Sequence, residues 1–127
     1  MLFRSLDHFV TERRRLAERY RTLLTAISEI RPPLEPSWAR SNWQSYCIRL
    51  PAGLDQRTVM QSMLDRGIST RRGIMNAHRE PPYRNRRHSP LPQSERAQDQ
   101  CILLPLYVGM SEDDQERVVE ALHIAIN

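Results

Sequence analysis

One amphipathic stretch near the N-terminus sets the tightest limit on this fold. Leu6, Phe9, Val10, Leu16, Tyr20, Leu23, Leu24 and Ile27 recur at spacings of three and four, with the skips that a 3.6-residue period produces. Arg13, Arg14, Glu18, Arg19 and Arg21 fill the opposite side, and Glu18 lies one turn beyond Arg14, within reach of a weak ion pair. The pattern predicts a helix from Leu6 to Ile30, stopped by Pro32 and Pro33, which have no N–H to continue the ladder. Such a helix is ~37 Å long at 1.5 Å per residue. A single domain of 127 residues does not need that length, so the helix is expected to lean on something else.

The remainder reads as short alternating elements. After the proline-rich connector from Pro32 to Arg40, the segment Trp43 to Leu50 alternates Tyr46, Ile48 and Leu50 against Ser45, Cys47 and Arg49, the signature of a strand with one buried face. Asp55 is a good N-cap for a helix from Gln56 to Arg66, and Gly67 stands where a left-handed C-cap belongs. Ile68 to Arg72 reads as a second strand. A long polar loop, Gly73 to Pro92, precedes a short polar helix, Gln93 to Gln100. Ile102 to Val108 is a third strand, with Pro105 marking either an edge or its end. Ser111 caps a last helix whose first turn carries Glu112, Asp113 and Asp114. The expected class is α+β: a small, mainly antiparallel three-stranded sheet with helices packed on one side, preceded by the long helix.

Composition then excludes several chemistries. All 19 basic side chains are arginine, so there is no lysine for a Schiff base, a phosphate loop or an amine nucleophile. The 15 acidic residues are interleaved with the arginines, and only Arg13–Arg15 and Arg79 to His88 are locally basic, which places nucleic acid low among the partners. Cys47 and Cys101 lack metal-site spacing and read as buried free thiols of a reducing compartment. The histidines, His8, His78, His88 and His123, form no ligand pattern, so no metal site is assigned. No apolar run is long enough to span a membrane, and Met1 to Arg4 leads directly into the amphipathic pattern rather than a leader's apolar core. The expected location is the cytoplasm.

The most suggestive local chemistry is the loop His78-Arg79-Glu80-Pro81-Pro82-Tyr83 following Arg71-Arg72-Gly73, where an imidazole, guanidinium groups and a phenol are available to grip an anion; a solvated irregular loop is the plainer reading. Gly67-Ile68, His78 and Tyr83 five positions later, Pro92-Gln93-Ser94-Glu95-Arg96-Ala97, Leu104-Pro105-Leu106 and Ser111-Glu112-Asp113 running to Val118-Val119 occur in one order. In that order they resemble the C-terminal small domain of the DegT/DnrJ type of sugar aminotransferases, which depend on pyridoxal phosphate (PLP). The first helix, with Arg13-Arg14 and Tyr20-Arg21-Thr22-Leu23-Leu24, is similar to that family's helix joining the large and small domains. Two positions depart from the family: Asn42-Trp43-Gln44 and Arg71-Arg72 stand where further histidines are usual.

The resemblance implies an interdomain-type helix over 1–31 and an aminotransferase small domain over 32–127. It implies substrate-binding roles for Arg71, Arg72, His78 and Tyr83, no catalytic or cofactor-binding residue in this chain, and PLP held by the large domain of the parent family. It further implies an aminotransferase large domain or a second copy as partner, and a sugar-like or other amine or keto compound as substrate. An apolar docking face should then run along the first helix, leaving the isolated chain dimeric or only marginally stable. The alternative is a non-catalytic binding or assembly module whose Arg-rich loops hold anions or acidic partners. An RNA-binding reading ranks last, because only Tyr83 lies among the loop arginines.

Overall fold

The computed structural model describes residues 5–127, so Met1 to Arg4 lie outside the described residues. Helix α1, Leu6–Leu23, continues as one tighter turn at Leu24–Ala26. It stops before Pro32-Pro33 require. Ile27 leaves helical space at φ −118°, ψ 87°. Ile27 and Ile30 both turn into the core, and Arg31 exchanges two backbone hydrogen bonds with Arg49, at 3.0 and 2.9 Å. That extended bridge cannot coexist with a continuing helix, so tertiary pairing overrides the local period. Arg14 also finds a different partner from the expected one. It grips Glu35 through both Nη atoms at 2.8 and 2.7 Å and donates to the Ser41 carbonyl at 2.6 Å, while Glu18 pairs with Arg21.

The expected antiparallel sheet is present, with shorter strands. Strands β1 (Tyr46–Arg49) and β2 (Arg71–Arg72) flank β3 (Cys101–Leu104) in the order β1-β3-β2, each antiparallel to the centre. Ser41 Oγ and Asn42 Oδ1 accept the N–H groups of Trp43 and Gln44, each at 3.1 Å, and Trp43 sits at φ 50°, so a local turn replaces the first residues of the expected strand. Pro105 ends β3 rather than marking an edge, since β3 is central and a proline cannot donate to a ladder. Ile68 belongs to a helix cap instead of a strand: after helix α2 (Gln56–Asp65), Gly67 at φ 79° donates to Leu64 O at 2.8 Å and Ile68 to Met63 O at 3.0 Å, a Schellman closure.

Asp55 Oδ2 accepts the Thr58 N–H at 2.8 Å, capping α2. Ser111 Oγ does the same for Asp114 at 3.0 Å at the start of helix α4, Glu112–Ile126. Helix α3, Pro92–Gln100, runs straight into β3. Alternation along β1 and β3 sends Tyr46, Ile48, Ile102 and Leu104 into one buried layer with Leu16, Tyr20 and Leu24 of the first helix and turn, Val59 and Met63 of α2, and Val118 and Leu122 of α4. The opposite face of the sheet carries Cys47, Arg49, Cys101 and Leu103, all half-buried.

Candidate functional site

The four residues expected to meet substrate come from β2 and the loop after it. Adjacent strand residues point to opposite faces, and β2 obeys this. Arg71 pairs with Leu103 and lines a cleft of about 280 Å³ with Gln44, Ser45 and Pro105, on the half-buried side of the sheet. Arg72 pairs with Ile102 and lines a cleft of about 370 Å³ between β2 and α2, with Arg57, Met60 and Leu64. The two guanidiniums are neighbours in sequence and are not a clamp. Sequence period alone could have separated them.

His78 lies in a single 3-10 turn, Ala77–Arg79, against α3. Its side chain is 12 % exposed, and its Nε2 is 3.0 Å from Glu95 Oε1. Its ring centroid lies 4.6 Å from that of His88. Arg79, next to it, makes a forked ion pair with Asp99, and that pairing raises the guanidinium and lowers the carboxyl in pKa. Asn76, which the sequence did not single out, is buried: its N–H donates to Gln98 Oε1 at 3.0 Å. Gln98 in turn has its carbonyl held by Gln56 Nε2 at 2.9 Å. The loop is therefore fastened at its start to α3 and, through Gln98, to α2.

Tyr83 sits farther out, in an exposed turn, with Arg86 5.7 Å from the centre of its ring. No hydrogen bond or ion pair among the described residues joins Arg71, Arg72, His78 and Tyr83 to one another. The loop presents an anchored imidazole and a freer phenol among arginines, groups that can donate hydrogen bonds to an anion.

The two cysteines are free and half-buried rather than fully buried. Gly73 passes so close that a Cβ there would lie 3.0 Å from both Cys101 Cβ and Cys47 Sγ. Burial, reinforced by the Cys101 thiol beside it, pushes the Cys47 thiol up to about 11. It is therefore a poor nucleophile. Among the described residues, no group of three or more His, Cys, Asp or Glu is placed to hold a metal ion, and no helix is long and apolar enough to cross a membrane. The apolar exposure expected along α1 is confined to its first turns, at Leu6 and Phe9, since Leu16, Ala17 and Tyr20 are used in the core. Among the described residues, the most exposed large apolar side chains are instead Leu34 and Trp38 of the connector, each 86 % exposed.

Comparison with known proteins gives a consistent answer. The aminotransferase TlmJ from Streptoalloteichus hindustanus matches with a TM-score of 0.86 and 29 % identity, over 97 % of this chain and 33 % of its own. The structure of DesI with its TDP-sugar product matches with a TM-score of 0.90 at 24 % identity, over 98 % of this chain and 33 % of its own. Helicobacter pylori PseC, an aminotransferase involved in the biosynthesis of pseudoaminic acid, shares the fold with a TM-score of 0.88 at 16 % identity, over 98 % of this chain and 34 % of its own. This chain thus spans about a third of the length of the structures that it matches. With the family model matching over residues 2–123, the chain belongs to the DegT/DnrJ/EryC1/StrS aminotransferase family.

Proposed function

We propose that these residues form the small-domain, substrate-facing side of a sugar aminotransferase active site, and that they do not catalyse alone. The observation that carries the reading is the match of nearly the whole chain to one third of the S. hindustanus aminotransferase. The family's cofactor, PLP, supplies the electron sink for transamination and needs a primary amine to hold its aldehyde. A sequence without lysine does not fit that anchor.

The role left to this chain is binding. His78, with its imidazole fixed by Glu95, orients a hydroxyl or phosphate oxygen of the substrate. Arg71 is the better placed of the two β2 arginines, because its cleft opens on the sheet face opposite the core formed with α1, α2 and α4. Arg72 and Tyr83 contribute at the margin. The partner is an aminotransferase large domain or a second copy of the chain, and the compartment is the cytoplasm.

The test is a chimera in which this chain replaces the matched third of the S. hindustanus enzyme. The expected chimera folds, takes up PLP and transaminates a sugar substrate, and Arg71→Ala or His78→Ala raises KM about tenfold or more with the cofactor still bound, the worth of a charge-assisted hydrogen bond. A folded, cofactor-loaded chimera indifferent to both substitutions would refute the assignment. The loop arginines Arg84, Arg86 and Arg87 have no carboxylate within ion-pair distance among the described residues, which favours the non-catalytic anion-binding module as second reading. That module predicts no association with aminotransferase chains in a pull-down.

A further inference from the structure

We propose that Arg31, Arg49 and Arg96 build a second anion site, for a phosphate group on a small molecule, apart from the loop that carries His78 and Tyr83. The three come from three separate segments of chain. Arg31 and Arg49 are held side by side because their backbones exchange two hydrogen bonds, at 3.0 and 2.9 Å. Arg96 arrives on α3, whose last residue accepts the Leu50 N–H through the Gln100 carbonyl at 2.8 Å, drawing the end of the helix onto the end of β1. All three line one open cleft of about 640 Å³, together with Pro51 and Gln100. That volume lies within the range of small-molecule sites.

The electrostatics favour a dianion. Among the described residues, Glu29 is the only acidic one lining the cleft. Among the described residues none of the three arginines has a carboxylate within 4.0 Å, whereas Arg14, Arg15, Arg19, Arg21, Arg79 and Arg117 all do. Three guanidiniums against one carboxylate leave two positive charges uncompensated in one place, matching a phosphate monoester near neutral pH. Planar guanidinium forks pair two at a time with phosphate oxygens. The scaffold supports this without further movement, since both the bridge to Arg49 and the bond from Leu50 are backbone contacts that fix where the side chains start.

The experiment is calorimetric titration of the chain with inorganic phosphate and with pyrophosphate, at constant ionic strength set by chloride, with malonate as a dicarboxylate control. Saturable phosphate or pyrophosphate binding is expected, weakened about tenfold or more by Arg49→Gln or Arg96→Gln. Arg117→Gln, on α4 and outside this cleft, should leave it unchanged. Glu29→Gln should tighten binding several-fold, an outcome that a merely structural role for these residues does not produce. Arg96 is on the exposed side of a helix, so its variant keeps the test alive if Arg49→Gln does not fold, and circular dichroism confirms the fold of each. Absence of saturable binding, binding indifferent to both substitutions, or malonate binding as tightly as phosphate overturns the proposal. None of these outcomes depends on whether the loop meets a sugar substrate.

Discussion

Tyr20 sits where α1 meets the sheet, and removing a single oxygen there tests whether the long helix is part of the folded body. The side chain has no exposed surface. Its ring lies 5.0 Å from that of Tyr46, and its hydroxyl donates to the Pro105 carbonyl at 2.8 Å. Burial, before any neighbouring charge, drives the phenol well above its ordinary pKa, so it is a neutral donor at every working pH. Tyr20→Phe keeps the ring and leaves the Pro105 carbonyl without this donor, a loss of about 1–2 kcal/mol. Unfolding entropy of about 2.1 cal/mol/K per residue amounts to about 270 cal/mol/K for a chain of this size, so the melting temperature should fall by about 4–7 °C. Tyr20→Ala also opens a cavity under α1 and should cost about 3–5 kcal/mol, a large part of the 5–15 kcal/mol that keeps a typical domain folded.

Thermal and urea unfolding followed by circular dichroism read both effects, with an unchanged urea slope certifying that the unfolded state is the same. A phenylalanine variant melting within about 1 °C of the parent would mean that the bond to Pro105 contributes nothing. An alanine variant no worse than phenylalanine would mean that α1 does not pack on the sheet at all. Either result removes the basis for treating α1 as part of the folded body.

Two further outcomes follow from the packing. Hydrogen bonds from Arg14 and from the Ser41 N–H pull the Glu35 carboxyl down to about 2 from its ordinary 4.5. A depressed folded-state pKa gives stability that is present above the unfolded value and lost as pH falls from about 4.5 toward 2. Carboxyl NMR should place the Glu35 midpoint near the low value, Glu35→Gln should flatten that limb of the stability curve, and a midpoint at or above 4.5 would contradict the Arg14 latch. At Gly73, an added methyl meets Cys101 Cβ and Cys47 Sγ at 3.0 Å, so Gly73→Ala should destabilise by about 1–3 kcal/mol. Cys47→Ala should recover part of that loss in a double-mutant cycle read by urea unfolding, and a neutral Gly73→Ala would show that the loop does not lie on the sheet.

What the sequence made legible was local. Asp55, Gly67 and Ser111 announced their helix ends because a cap is settled within a few residues, and all three form as their neighbours dictate. Alternation located Tyr46, Ile48, Ile102 and Leu104 on one face. The end of α1 was not legible, because the competitor for Arg31 is the backbone of Arg49, which no local window contains. The partner of Arg14 is hidden for the same reason: Glu18 is near in sequence, but the connector brings Glu35 with better geometry and the Ser41 carbonyl as well. Gln115, a polar residue one turn into α4, is fully buried and donates to the Leu16 carbonyl at 2.9 Å, tying α4 to α1, a partner 99 residues away.

Helix α3 shows why the candidate site was the hardest part to read. Its sequence, PQSERAQDQ, looks like a solvated polar helix. In the fold, Glu95 takes His78, Asp99 takes Arg79, Gln98 takes Asn76 by its side chain and Gln56 by its carbonyl, and Arg96 enters the cleft beside Arg49. The partners of Glu95, Asp99 and Gln98 lie between 17 and 42 residues away. Polarity that reads locally as solvent exposure therefore reports a hub, on which the loop from Gly73 to Pro92 is hung. The order of that loop, and with it the position of His78, depends on a helix that makes few apolar contacts of its own, so substitutions at Glu95 or Gln98 should loosen the loop well before they unfold the core.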